Sequence, residues 1–182
     1  MSCDTLKEHV NYALNLGGVK PISLVGHSDY DYANCLDTSL SIGGYCFMLG
    51  SEVISWASWK QKSVADSSCY AEYIALHQAL HEVVFLRELM SCLLPPDNTP
   101  TVVFCDNDAA SILTEDHVWH ARVKHIHVNY HYVRKLVANK ELTVQRVHSS
   151  ENTADILTKP LNRTNFVHLQ ALFGAHHYTG RH

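Results

Sequence analysis

Residues 21–28 read PISLVGHS, a β-rich stretch that runs directly into Asp29. These residue types predict a strand that delivers Asp29 near its end. Two further stretches, GGYCFML at Gly43–Leu49 and VISWASW at Val53–Trp59, also predict strands, and the short segment Gly50–Glu52 between them is typical of a turn. The folded part of the chain therefore begins with three strands in an antiparallel meander.

A long helix and two more strands follow the meander. From Ser67 to about Leu93 apolar residues recur at helical spacing, and the prolines at 95 and 96 end the helix. The stretch TVVFC at Thr101–Cys105 predicts a buried strand that leads into Asp106. The remaining predicted elements are a short helix through Leu113, a helix over Arg122–Val137, a strand over Leu142–Val147, and helices that begin at about Asn152 and Arg163.

This order of elements predicts the fold class. Three antiparallel strands, followed by strands that alternate with helices, predict an α/β domain with a mixed five-stranded sheet covered by helices. We expect this domain to span residues 21–173. Residues 1–20 are expected to form a helical N-terminal extension, and residues 174–182 a C-terminal tail.

Composition supports one folded domain. The chain has 182 residues, of which 46% are hydrophobic, enough for a core and too apolar for disorder. No apolar run reaches membrane-spanning length, and the start MSCDTLKEHV lacks a secretory signal, so we expect an intracellular protein without a membrane partner. The six cysteines are dispersed, which favours reduced thiols in the core over disulfides.

Charge argues mildly against a free-standing nucleic-acid binder, which is usually basic. The chain carries 14 lysines and arginines against 18 acidic residues, a formal net charge of −4. If it handles nucleic acid, metal ions must supply part of the charge that balances the phosphates.

Four acidic residues lie where predicted strands end or helices begin: Asp29, Glu72, Asp106 and Asp155. Such positions converge at the strand ends of an α/β sheet, and Glu72 is expected in the first turn of its helix, where the macrodipole favours an anion. A single aspartate at a helix start is more often a cap than a ligand. Four carboxylates together, however, repel one another unless cations occupy the cluster, and oxygen ligands select Mg²⁺ or Mn²⁺.

The segments around these residues resemble the ribonuclease H domain of copia-type retrotransposon polyproteins. They read GHSDYDYA, SSCYAEYIAL, FCDNDAASIL and TADILTKPL, and the last matches the signature of that family closely. Further agreement comes from ISW at 54–56, from KQ at 60–61 and from KHI at 124–126. The resemblance runs from about Pro21 to Phe173, nearly the whole chain.

The resemblance implies hydrolysis of the RNA strand of an RNA–DNA hybrid with two Mg²⁺ or Mn²⁺ ions. Asp29 would bridge both ions, Glu72 and Asp106 would hold one, and Asp155 would hold the other. Asn107 could reach a ribose hydroxyl, although closing a turn is an equally good role for it. Candidate phosphate contacts include Lys60 and Lys124, and Lys159 is a further one. The implied partners are the hybrid and the reverse transcriptase part of a polyprotein, in a cytoplasmic retroelement particle or in the nucleus.

Histidines suggest two other sites. His117, His120, His125, His127 and His131 crowd one region, but they lack the paired spacing of a closed zinc site, so a solvated helix face is the favoured interpretation. His148 follows the fifth strand of the sheet and could protonate the leaving group or assist product release. It is therefore a further candidate catalytic residue.

Departures from the family pattern keep a second function class open. Residues 36–42 read LDTSLSI where the family commonly has an arginine pair, and His127 stands where an aspartate is usual. The metal ligands are complete while the substrate contacts are fewer. The chain is therefore either a working nuclease or a domesticated domain that binds a protein or nucleic acid with weak or no catalysis, and four carboxylates together favour the nuclease. Oligomeric state is open.

Overall fold

The computed structural model describes residues 12–14, 23–31, 41–61, 68–95, 99–105 and 135–177, and within 68–73 it describes the backbone only. The strands are β1 (Tyr12–Leu14), β2 (Leu24–Asp31), β3 (Ile42–Leu49), β4 (Glu52–Lys60), β5 (Thr101–Cys105), β6 (Leu142–Arg146) and β7 (Ala175–His177). The helices are α1 (Ser68–Leu93), α2 (Asp155–Thr158) and α3 (Arg163–Leu172), with a 3-10 turn at Ser149–Glu151. Residues 135–138 are also helical.

Five of these strands form one mixed sheet in the order β4-β3-β2-β5-β6. The pairs β2–β3 and β3–β4 are antiparallel, whereas β2–β5 and β5–β6 are parallel. The predicted mixed five-stranded sheet is therefore confirmed. Because β2, β5 and β6 run in the same direction, their C-terminal ends lie together, and we call this edge of the sheet the carboxyl edge.

The hydrophobic core lies between α1 and the sheet. Leu76, Leu80 and Val83 of α1 recur at helical spacing and are buried against β-strand residues that include Phe47 and Val103. Burying such side chains contributes roughly 1.5–3 kcal/mol each to folding. This packing holds the centre of the sheet, and with it the end of β2, in a fixed position.

A polar link joins α1 to the antiparallel half of the sheet. The Glu82 carboxylate accepts hydrogen bonds from Tyr45 Oη on β3, at 3.3 Å, and from Ser55 Oγ on β4, at 2.6 Å. Burial, followed by the charge of Glu82 and its hydrogen bond, raises the pKa of Tyr45 to about 12. Tyr45 therefore stays protonated at neutral pH and remains a donor to Glu82.

The N-terminal extension differs from its prediction. Tyr12–Leu14 form a strand, β1, which pairs antiparallel with β7 in a separate two-stranded sheet, so the expected helix is wrong for these three residues. Their partners, Ala175–His177, belong to the segment that was expected to be a tail. A three-residue strand carries almost no local signal, and it forms here because a partner more than 160 residues away completes its hydrogen bonds.

Two other predicted elements lie largely beyond the described residues. The short helix through Leu113 is outside them, as is residue range 122–134 of the helix predicted over Arg122–Val137. Among the cysteines that are described, Cys46 and Cys105 are buried free thiols, as expected, but Cys92 is exposed on α1. No helix in the described part of the chain is long and apolar enough to cross a membrane.

Candidate active site

Asp29 lies on β2, the central strand of the sheet, near the carboxyl edge. Asp29 is 2% exposed, and it pairs with Gly44 on β3. On the other side of β2, Ser28 pairs with Cys105, the last residue of β5. The residue after Cys105 in the chain is Asp106, so β5 ends beside the strand that carries Asp29, as the sequence predicts.

Asp155 begins α2 and is brought to the same place by a buried turn. Asn152, which is fully buried, donates from Nδ2 to Ser28 O on β2 at 3.1 Å and accepts at Oδ1 from Ala154 N at 3.3 Å. Thr153 Oγ1 lies 3.1 Å from Cys46 Sγ on β3. These contacts fasten the turn before α2 to the two central strands, and so they fix where Asp155 points.

The close approach of α2 to the sheet depends on a glycine. A Cβ atom at Gly44 would lie 2.8 Å from Thr158 Cγ2 and 3.1 Å from Leu157 Cβ, both closer than ordinary contact. Ser58 Oγ on β4 donates to Leu157 O at 2.7 Å and holds the same face of the helix. Gly44 therefore permits α2 to lie directly on β3 beside Asp29.

We expect Gly44→Ala to lower the free energy of unfolding by about 2 kcal/mol and to weaken metal binding, because the added methyl group pushes α2 and Asp155 away from Asp29. Urea denaturation and calorimetric titration with Mn²⁺ measure the two effects.

The neighbouring Gly43→Ala is the matched control, since its Cβ would meet the Trp59 ring at 2.7 Å instead of α2. Both variants should lose stability, but only Gly44→Ala should lose metal affinity. Equal losses of metal affinity in the two variants would show that Gly44 has no special role in placing α2.

Two carboxylates and one ammonium group meet at this point. Lys159 Nζ lies 3.0 Å from Asp29 Oδ1 and 3.2 Å from Asp155 Oδ1. Thr158 Oγ1 donates a hydrogen bond to Asp29 Oδ2. The side chains of Asp29 and Asp155 are 0% and 6% exposed, against 25% for Lys159. We call this group the acidic crevice: Asp29, Asp155, Thr158 and Lys159.

Lys159 corrects one expectation from the sequence. The carboxylates were expected to be compensated by bound cations and Lys159 to contact phosphates, whereas the structure places Lys159 between two of the carboxylates. Two largely buried carboxylates therefore share this ammonium group.

His27 adds no positive charge to this region. Its side chain lies on the same face of β2 as Asp29, because residues two apart in a strand point the same way. Burial lowers its pKa to about 4, and the hydrogen bond with Asn152 opposes that shift only in part. The imidazole is therefore neutral at pH 7 and acts as a packed group beside the Phe104 ring, whose centroid lies 5.2 Å away.

The remaining predicted ligands are described only in part. Glu72 lies in α1, but the helix begins at Ser68, so Glu72 is its fifth residue and not, as expected, in the first turn. Asp106, Asn107 and Lys124 lie outside the described residues, as do the five crowded histidines. Within the described part of the chain, no group of three or more His, Cys, Asp or Glu side chains forms a metal site.

Two other predicted site residues, Lys60 and His148, lie within the described part of the chain. Lys60 is exposed at the end of β4. It pairs with Ile42 on β3, which in turn pairs with Asp31 on β2, so β3 lies between Lys60 and the strand that carries Asp29. His148 is exposed and caps the 3-10 turn, where its Nδ1 accepts from Ser150 N at 3.2 Å. This cap is a structural role for His148, and its catalytic role stays a prediction.

Solved structures with a similar fold are ribonuclease H domains. The chain matches the N-terminal RNase H domain of rv2228c from Mycobacterium tuberculosis with a TM-score of 0.52 and 15% identity, over 82% of this chain and 97% of that one. It matches LC11-RNase H1, solved with an RNA/DNA hybrid, with a TM-score of 0.51 and 13% identity, over 75% of this chain and 94% of that one. The fold is that of a ribonuclease H domain.

The sequence relatives of this chain are much longer proteins. The chain is 39% identical over 163 residues to the retrovirus-related Pol polyprotein from transposon TNT 1-94 of Nicotiana tabacum, and 37% identical over 164 residues to that from transposon RE1 of Arabidopsis thaliana. Each match covers 90% of this chain but only 12% and 11% of the relative. No family model matches. The chain is a ribonuclease H-like domain homologous to copia-type retrotransposon Pol polyproteins, as its motifs predict.

Proposed function

We propose that the domain is a metal-dependent endonuclease that hydrolyses the RNA strand of RNA–DNA hybrids. The observation that carries this proposal is the acidic crevice, in which two buried carboxylates from β2 and α2 converge on one cation at the carboxyl edge of a ribonuclease H fold. Ligand sites in open α/β sheets form at this edge. The homology to Pol polyproteins and the fold of the solved neighbours support the same activity.

The donor atoms of the crevice fit divalent metal. Carboxylate oxygens are the ligands that Mg²⁺ and Mn²⁺ prefer, and the ammonium group of Lys159 already marks a place where a cation contacts Asp29 and Asp155 together. We assign Asp29, Glu72, Asp106 and Asp155 as the ligands of two ions. When bound, the ions would activate a water molecule and stabilise the leaving oxygen at phosphorus.

The protein side chains position the ligands and the substrate. Thr158 holds Asp29 Oδ2 and thereby orients the carboxylate, while Asn152 fixes the turn that carries Asp155. Asn107 is proposed to contact the ribose hydroxyl that distinguishes RNA from DNA. Lys60 and Lys124 are proposed to contact phosphates of the hybrid, and His148 is a candidate proton donor near the leaving group.

The proposed substrate follows from the kinds of protein that this chain resembles in sequence and in fold. LC11-RNase H1 was solved in complex with an RNA/DNA hybrid, and the relatives of this chain are Pol polyproteins many times its length. We propose an RNA–DNA hybrid as substrate and the reverse transcriptase part of such a polyprotein as a partner. A net charge of −4 means that this domain alone will bind the hybrid weakly, and because contacts between cationic side chains and phosphates carry that binding, it will weaken further as salt is raised.

Cleavage should require Mg²⁺ or Mn²⁺, because the proposed mechanism assigns activation of the attacking water and stabilisation of the leaving oxygen to the bound ions. Ca²⁺ should bind without supporting turnover, since its longer and more variable coordination disturbs the geometry of displacement. A fluorescent hybrid assay with each ion, and with excess chelator, measures this. Undiminished cleavage in chelator would refute the two-metal assignment.

A second candidate function is an interaction module without catalysis. The feature that favours it is an exposed apolar stripe on α1, formed by Phe85, Leu89 and Leu93 at successive helical turns. The missing arginine pair in residues 36–42 is consistent with it. Absence of any hybrid cleavage at low salt with Mn²⁺ would favour this candidate over the nuclease.

A further inference from the structure

Lys159 is placed so that it can leave the crevice without any change of fold. Its backbone N–H donates to Asp155 O at 3.0 Å, which fixes the residue at the end of α2. Its side chain, in contrast, is 25% exposed, while the two carboxylates that it contacts are nearly buried. The four-carbon chain of a lysine is flexible, so the ammonium can move to solvent while α2 stays in place.

On the side of the two oxygens that Lys159 Nζ occupies, a metal ion and this ammonium group compete for the same position. Mg²⁺ binds carboxylate oxygens at about 2.0–2.1 Å. The ammonium lies 3.0 Å from Asp29 Oδ1 and 3.2 Å from Asp155 Oδ1. An ion bonded to both oxygens on the side that Nζ occupies would be closer to Nζ than nonbonded contact allows, because its bonds to the oxygens are about 1 Å shorter than those of the ammonium. Repulsion between the two cations adds to this overlap.

From this geometry we propose that Lys159 is a built-in counterion: its ammonium group occupies a metal position between Asp29 and Asp155, and metal binding displaces it. The inference rests on the proposed function for the identity of the metal ligands. Without metal, Lys159 pairs with both buried carboxylates and stabilises the fold. With metal, the same group competes, so that the domain binds ions less tightly than its carboxylates alone would.

Two substitutions of Lys159 should change the affinity for Mn²⁺ in opposite directions. Lys159→Gln removes the competing charge, so the dissociation constant for Mn²⁺ should fall by about tenfold, equivalent to about 1.4 kcal/mol. Lys159→Arg replaces the ammonium with a planar fork that pairs more strongly with carboxylates, so Mn²⁺ should bind more weakly than to the wild type. Calorimetric titration of the whole chain with Mn²⁺, without nucleic acid, measures both.

Lys140→Gln is the matched control for the loss of one positive charge. Lys140 is exposed and precedes β6, whose first residue, Leu142, pairs with Thr101 at the opposite edge of the sheet from Asp29. This variant should keep the Mn²⁺ affinity of the wild type. An unchanged or weaker affinity in Lys159→Gln would overturn the proposal, since it would make Lys159 either a fixed ion pair or a group that helps to hold the metal.

The wild-type protein allows a test that does not depend on how the variants fold. Acylation by an amine-directed succinimidyl ester, followed by mass spectrometry, reports how accessible each ammonium group is. Addition of Mg²⁺ should raise the labelling rate of Lys159 severalfold and leave that of Lys140 unchanged. Slower or equal labelling of Lys159 with Mg²⁺ would contradict displacement.

Both readouts are independent of hybrid cleavage. If the chain binds Mn²⁺, with the predicted order of affinities, but cuts no hybrid, the proposed nuclease function fails while the counterion exchange is upheld. If it cuts the hybrid and Lys159→Gln binds Mn²⁺ no better than the wild type, the exchange fails and the nuclease stands.

Discussion

Asp29→Asn should abolish cleavage of an RNA–DNA hybrid, with a loss of at least about 10³ in rate, equivalent to about 4 kcal/mol of transition-state stabilisation. Asp29 is the carboxylate that Thr158 orients and that Lys159 contacts at the carboxyl edge. The amide keeps the shape of the side chain but not its charge, and a neutral oxygen is a poor ligand for Mg²⁺. Initial rates with a labelled hybrid measure the effect.

The same variant should remain folded. The amide oxygen can still accept the hydrogen bond from Thr158, and Lys159 keeps its ion pair with Asp155, so these contacts remain. Glu52→Gln is the matched control, because Glu52 begins β4 and its partner Leu49 pairs with Leu24, at the other end of β2 from Asp29. Wild-type cleavage by Asp29→Asn, or equal losses in both variants, would show that Asp29 is not a metal ligand.

Asn152→Ala should lower the free energy of unfolding by about 3 kcal/mol, because a buried carbonyl and a buried amide lose their hydrogen-bond partner. The side chain is fully buried and serves Ser28 O, Ala154 N and the ring of His27. For a chain of this size, that loss lowers the midpoint of thermal unfolding by roughly 6–12 °C. Thermal denaturation followed by circular dichroism measures it.

Asn139→Ala is the control for the loss of an asparagine. Asn139 is exposed and its Nδ2 donates to Glu141 Oε1 at 3.0 Å, a bond that water can replace. Its substitution should change stability by no more than about 0.5 kcal/mol. If Asn152→Ala were equally mild, the turn before α2 would be held by packing alone, and the account of how Asp155 reaches Asp29 would need revision.

The sequence predicts the sheet well because its strands carry local signals. Thr101–Cys105 is an apolar run bounded by a proline and an aspartate, and its predicted bounds match β5. β2 and β3 differ from their predicted ranges by a few residues at the ends, where pairing with neighbours decides how far a strand extends. Asp29 and Asp155 were chosen as candidates because each stands in a motif with a specific order of residue types, and the structure brings their side chains together.

Residues that act through distant contacts are harder to predict. Asn152 resembles any asparagine in a turn, and its importance comes from a carbonyl 124 positions earlier in the chain. Lys159 was interpreted as a phosphate contact, although its spacing of four from Asp155 was a usable signal for an ion pair. Its second contact, with Asp29, appears only once β2 and α2 are brought together.

Cleavage of a hybrid whose RNA and DNA strands carry different labels, at low salt with Mn²⁺, decides whether the acidic crevice is a nuclease site. If the acidic crevice holds two metal ions that hydrolyse RNA, the wild-type chain should cut the RNA strand alone, and Asp29→Asn should cut neither strand. An intact RNA strand after prolonged incubation with the wild type, or equal cleavage by Asp29→Asn, would contradict the claim.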